Sequence, residues 1–179
     1  MQFASRVRWG QKLSAVDLRD PALHRVCIVV GSNIDAEANT RRAIQALGEV
    51  GKMQAVSSTW QTPSEGSPGP DFLDTAVLIE TTYALETLKW QHLRQIEADL
   101  GRVRTADKNA PRTIDLDIVT YDDQLIASDL FDRVYLAIPV SELLPDLTQP
   151  LTGVLLSQIT AALIKRTPAR KRIILQTGS

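Results

Sequence analysis

The sequence has little of several things, and each shortage excludes a class of protein. It contains one cysteine, Cys27, inside an apolar run, so no intrachain disulfide can form and a reducing, cytoplasmic setting is expected. Its net charge is −1 over 179 residues, which argues against bulk binding to nucleic acid or an anionic membrane. No apolar run approaches membrane-span length. Residues 1–24 lack a continuous apolar centre and are expected not to be a signal peptide. Histidines number two, and His24 and His92 read as structural. Gly31-Ser32-Asn33 is not followed by the Gly-Lys-Ser/Thr of a phosphate-binding loop. No serine sits in a nucleophile elbow, and no internal repeat occurs. With 44% hydrophobic and 23% charged residues, the chain describes one soluble globular domain.

What is present alternates between two periods. His24 to Val30 reads as a buried central strand and Ala36 to Val50 as a helix capped by Asn33 or Asp35. A second strand is predicted over Met53 to Thr62. Residues 63–70, with three prolines and two glycines, can only be a loop. Phe72 to Thr82 follows as a strand, Leu85 to Leu100 as a helix closed by Gly101, and Arg102 to Pro111 as a basic loop. Ile114 to Tyr121 is the fourth strand. Val134 to Pro139 is read as a short strand, Ser141 to Leu144 as one helical turn, Thr152 to Ile164 as a helix and Ile173 to Leu175 as an edge strand. The order predicts an α+β, ferredoxin-like βαββαβ sandwich, mostly antiparallel, with helices on one face plus a C-terminal helix. The expected division is an N-terminal extension (1–24), a domain (25–165) and a basic tail (166–179).

The stretch that carries chemistry is Lys108 to Val119. In a strand, Asp115 and Asp117 project from one side, about 6.5–7 Å apart at Cα, while Ile114, Leu116 and Ile118 face a core. Adjacent acids repel, and a divalent cation relieves them. The plainest alternative is a solvated strand face with two incidental acids. Against it stand the apolar strand, the preceding Pro111-Arg112, and the cations Arg102, Arg104 and Lys108 in the same loop. Mg²⁺ prefers one or two carboxylates plus phosphate oxygens and water, and arginine neutralises phosphate bidentately. A Mg²⁺–phosphate site is the resulting reading.

Several ordered blocks over residues 25–147 resemble the 6-hydroxymethyl-7,8-dihydropterin pyrophosphokinases of folate biosynthesis. They are Gly31-Ser32-Asn33, Ser57-Ser58-Thr59-Trp60-Gln61-Thr62-Pro63, Pro70-Asp71-Phe72-Leu73, Ile96-Glu97 with Leu100-Gly101-Arg102-Val103-Arg104, and Ala110-Pro111-Arg112-Thr113-Ile114-Asp115-Leu116-Asp117. The resemblance implies transfer of the β,γ-diphosphate of ATP to a hydroxymethyl-dihydropterin, releasing AMP. It implies two Mg²⁺ ions on Asp115 and Asp117, and Arg102 and Arg112 neutralising the transferred group. Phe72 and Tyr135 would sandwich the pterin ring, with Thr62, Pro63 and Asp74 at its polar edge. Glu97, Arg104, Lys108, Arg112 and Arg133 would serve ATP. The implied partners are these two small molecules, with no nucleic acid or membrane, and the protein would be a monomer or small homo-oligomer.

Three departures from the family pattern stand out. The family usually has Asn where Asp74 stands, and a carboxylate only accepts. Lys108-Asn109-Ala110 replaces Arg-Trp-Gly, and Ala127-Ser128-Asp129-Leu130 lacks a histidine common on the ATP side. A catalytically weak or repurposed relative that binds a pterin or nucleotide is the alternative. An RNA-recognition module would need stacking aromatics that Cys27-Ile28-Val29-Val30 does not offer.

Overall fold

The computed structural model describes residues 22–64, 69–104, 110–122 and 124–173. Its centre is β1 (His24–Ser32), which pairs antiparallel with β4 (Phe72–Thr81) on one side and β5 (Asp115–Tyr121) on the other. Beyond β5 lies the two-residue β6 (Gln124–Leu125). Beyond β4 lie β2 (Lys52–Val56), β3 (Thr59–Thr62) and, at the edge, β7 (Arg170–Arg172). All these pairings are antiparallel, as the ferredoxin-like order requires.

Alternation along the central strands separates two cores. Val26, Ile28, Val30, Val77, Ile79, Leu116 and Ile118 pack beneath α1 (Ala36–Val50) and the second helical segment. Cys27, Val29, Ala76, Leu78 and Val119 face the other way, against α4 (Val134–Leu143) and α5 (Leu156–Ile164). The ferredoxin-like helices thus share one face and the C-terminal helices cover the other. Cys27 is fully buried, and burial pushes its thiol up to about 12, so it behaves as a small apolar residue. No helix among the described residues is long and apolar enough to cross a membrane.

Several elements differ from the sequence reading. Val134–Leu143 is a helix, not a strand followed by a helical turn. It lies between the sheet and α5 with six of its ten residues buried, so apolar side chains surround it and hide the helical period. Pro139 sits inside it and forgoes one helical hydrogen bond. The expected strand over 53–62 is two strands. The Ser58 amide donates to Glu142 Oε2 on α4 (2.6 Å) instead of joining the ladder, while the Ser57 hydroxyl accepts from the Ala76 amide (2.8 Å). The second helix is interrupted: α2 (Leu85–Thr87) leads into a π-helical stretch (Leu88–Leu93) and then α3 (Arg94–Asp99). Asp35 occupies the N-cap of α1 in a left-handed conformation without a side-chain cap bond, and Asn39 Nδ2 donates back to the Ile34 carbonyl instead (2.8 Å). The last helix begins at Leu156 rather than Thr152, and an edge strand forms at Arg170–Arg172; the one expected over Ile173 to Leu175 lies mostly outside the described residues.

Gly51 ends α1 against the sheet, where a Cβ would lie 2.6 Å from the Glu80 carbonyl oxygen. Since a backbone atom cannot swing aside, Gly51→Ala is expected to cost about 1–3 kcal/mol. Urea unfolding measures this, and an unchanged midpoint would contradict the packing described.

Candidate active site

The register of three strands assembles the site. Gly31 of β1 pairs with Asp74 of β4 and with Asp115 of β5, and Asp74 also pairs with Trp60 of β3. Paired residues in an antiparallel sheet point to the same side, so Asp74, Gly31 and Asp115 form a row on the face opposite α1. Asp117 follows on that face, and Leu116 between the two acids is buried in the α1-side core. Glycine matters in this row: a Cβ on Gly31 would lie 3.1 Å from Asp74 Oδ1 and 3.9 Å from the Phe72 ring. The missing side chain lets the Asp74 carboxylate and the Phe72 ring approach the backbone of β1 closely.

On the Asp74 side, Asp74 is 1% exposed and accepts from Thr62 Oγ1 at 2.7 Å. Thr62 pairs with Phe72, so Thr62, Phe72, Asp74 and Gly31 form one cluster with Pro63 at its rim. On the Asp115 side, Arg112 Nη1 donates to Asp115 Oδ2, and Arg102 Nη2 stands 3.7 Å from the same oxygen. The Arg112 guanidinium also lies 5.7 Å from the centre of the Phe72 ring, joining the two clusters. Arg102 Nε is buried and has no partner among the described residues. Asn33 fixes the loop: its Oδ1 accepts from the Arg112 amide (2.7 Å), its amide donates to the Arg112 carbonyl (3.1 Å), and its Nδ2 reaches the Pro70 carbonyl (3.2 Å).

Asp117 differs from Asp115. It has no side-chain hydrogen bond or ion pair among the described residues and opens into a pocket of about 320 Å³. Lys89, Arg94, Glu97, Asp129 and Tyr135 also line this pocket. Asp117 is exposed at the pocket, but the mass of protein around it, and then the Asp115 charge, push its carboxyl up to about 6, with Arg112 opposing. Two carboxylates on one face, one of them unpaired and disfavoured as an anion, fit a hard oxygen-seeking cation. No group of three potential metal-ligating side chains occurs among the described residues, so other ligands must come from substrate or water.

Glu97 is buried and holds the strand in place. Its Oε1 accepts from the Leu116 amide, between the two acids, at 3.0 Å. Its Oε2 accepts from Arg94 Nη1 (2.6 Å) and Arg104 Nη2 (2.7 Å). Burial raises its carboxyl to about 7, although the Leu116 amide and the arginine charges favour ionisation. Arg104 is half exposed beside it. Arg133 caps the start of α4 and pairs with Asp129 at 3.4 Å, while Tyr135, two residues on, lines the pocket.

The structure therefore brings Thr62, Phe72, Asp74, Arg102, Arg112 and Asp115 together, and sets Asp117, Glu97 and Tyr135 in the adjoining pocket. Lys108 lies outside the described residues. The sequence reading named no site role for Gly31, Asn33 or Arg94. The first two belong to the quoted Gly31-Ser32-Asn33 block, whereas Arg94 carries no motif signal and is found only through its bond to Glu97.

The chain is similar to known proteins over most of its length. Residues 27–145 match the family model described as 7,8-dihydro-6-hydroxymethylpterin-pyrophosphokinase. A 2-amino-4-hydroxy-6-hydroxymethyldihydropteridine pyrophosphokinase of Haemophilus influenzae is 30% identical over 159 residues, covering 82% of this chain and 94% of that protein. The enzyme of the same name in Synechocystis sp. is 28% identical, covering 76% of this chain and 74% of its own length. A folic acid synthesis protein of Dictyostelium discoideum is 27% identical over 135 residues, which is 20% of that longer protein.

A carboxyl whose folded-state pKa of about 6 exceeds the unfolded value of about 3.9 costs stability when charged. Its contribution is favourable at low pH and is lost as pH rises through 6. Asp117→Asn should therefore stabilise the metal-free protein above about pH 6, the gain shrinking toward about pH 4. Urea unfolding across that range checks this; a gain independent of pH would refute it.

Proposed function

The chain belongs to the 7,8-dihydro-6-hydroxymethylpterin-pyrophosphokinase family, and from that premise we propose how its residues divide the work. It is an ATP-dependent diphosphotransferase of folate biosynthesis. The substrate hydroxyl attacks the β-phosphorus of ATP, the bond from that phosphorus to the α–β bridging oxygen breaks, and AMP leaves. Such a transfer needs alignment and charge neutralisation more than a protein nucleophile.

Asp115 and Asp117 are the residues to hold Mg²⁺, with two ions as the proposed complement; when bound, the metal supplies positive charge on the phosphates and polarises the attacking hydroxyl. The observation that carries this is the unpaired Asp117 beside Asp115 on one strand face, at the mouth of the pocket. Arg102 and Arg112 neutralise the transferring diphosphate. Both contact Asp115, and Arg102 retains an unused buried N–H suited to a phosphate oxygen. Arg104, Lys108 and Arg133 contribute further cations to the nucleotide, and Glu97 positions Arg104 and β5.

The pterin lies beside Gly31 and Asp74, its ring held by Phe72 and Tyr135. Asp74, fixed by Thr62, accepts from the 2-amino and ring N–H groups, while backbone near Thr62 and Pro63 meets the remaining polar edge. The catalytic unit proposed is 25–165, in a cytoplasmic setting.

The test is to incubate protein, Mg²⁺-ATP and 6-hydroxymethyl-7,8-dihydropterin and identify the nucleotide product. AMP is expected, and its formation should stop on chelation of the metal; ADP as the product would sink this reading. Asp115→Ala and Asp117→Ala should each lower kcat by about 10²-fold or more while the unfolding transition persists. Near-full activity in either would remove that residue from the metal site. Asp74→Asn should change the pterin Kd, since an amide replaces an acceptor-only group with a mixed donor–acceptor; an unchanged Kd by calorimetry would place the ring elsewhere.

A further inference from the structure

An open groove flanked by charge lies on the opposite side of the sheet. It has a volume of about 880 Å³ and lies between α1, the crossing from β2 to β3 at Ser57-Ser58-Thr59, and β7. Ile44 and Val56 in its wall pack on the core beneath α1, the core that contains Leu116 and Ile118. The groove is therefore separated by the sheet from Asp115 and Asp117.

Its lining is chemically consistent. Arg41, Arg42 and Arg172 supply three cations, whereas the Lys171 ammonium turns to the other face of the sheet; Thr40, Ser57, Ser58, Thr59 and Thr75 supply hydroxyls. Charge compensation is partial. Glu37 serves both Arg41 (3.3 Å) and Arg172 (3.7 Å), Glu142 stands 3.6 Å from Lys171, and Arg42 has no ion pair among the described residues. Thr40 is fully buried, yet among the described residues neither its Oγ1 nor the enclosed Arg41 Nε has a hydrogen-bond partner. A buried donor without an acceptor costs free energy that a bound acceptor recovers. Ala38, Ile44, Val56 and Ile173 add an apolar surface.

We propose that this groove is a second binding site, which takes a small molecule with an apolar body and one or more oxyanion groups, phosphate or carboxylate. Its volume falls within the range typical of small-molecule sites. The cations stand on two separate elements, α1 and β7, so an anion between them also ties the edge strand to the helix. Mutual repulsion among Arg41, Arg42 and Arg172 is relieved in the same event.

The experiment is an amide-resolved NMR titration of the full chain in metal-free buffer, with phenyl phosphate in one arm and phthalate in the other. Because shifts are read residue by residue, binding near Asp115 and Asp117 is distinguished from binding here. Saturable shifts at Ser57, Ser58, Thr59, Arg172 and Ile173 are expected in at least one arm, and the arm identifies the preferred anion. Arg42→Gln and Arg172→Gln should each weaken that binding about tenfold. Arg42→Gln removes an exposed side chain without an ion pair among the described residues, so its fold and its basal AMP formation should match the parent. No saturable shift at the groove in either arm, or unchanged affinity in Arg42→Gln, would overturn the proposal.

Discussion

The double pairing of β1 is the constraint on which the rest depends. One strand holds β4 and β5 in register on its two edges, so a single residue, Gly31, faces both Asp74 and Asp115. Substrate-side and phosphate-side groups come from segments about forty residues apart in sequence, and their separation is set by sheet spacing rather than by loops. A site built on ladder hydrogen bonds inherits the rigidity of the core. A change that slipped β5 by one residue would turn both acids into the apolar core beneath α1.

Electrostatics adds a second level of order. Asp115 is satisfied by two guanidiniums, whereas Asp117, two residues on, has none of its own among the described residues. Glu97 meets the amide between them from the side that β6 is too short to cover, since β6 pairs only with Thr120 and Tyr121. An exposed strand edge is thereby closed by a carboxylate instead of another strand. That carboxylate also gathers Arg94 and Arg104, so strand geometry and cation placement are fixed by one side chain.

Much of this was legible in sequence where local chemistry and period agreed. The strand with Asp115 and Asp117 was, because Ile114, Leu116 and Ile118 alternate with acids; so was the long helix α1. What escaped was decided by tertiary surroundings. Val134 to Pro139 reads as a strand because a helix with six of its ten residues buried shows little polar stripe to reveal its period. The break at Ser57-Ser58 depends on Glu142, more than eighty residues away, capturing one amide. Gly31 resembles an ordinary strand stop until the register shows which two side chains flank it. Arg94 looks like any solvated helical cation until Glu97 is seen beneath it.

Cys27 has a practical consequence. It sits at the centre of β1, fully buried, with a thiol that hardly ionises, and it is the only cysteine in the chain. A thiol-reactive reagent meets no target while the sheet is closed. The rate at which such a reagent modifies the unaltered protein thus reads the opening of the central strand directly, and ligand-induced slowing of that rate reports how tightly the two halves of the site are held together.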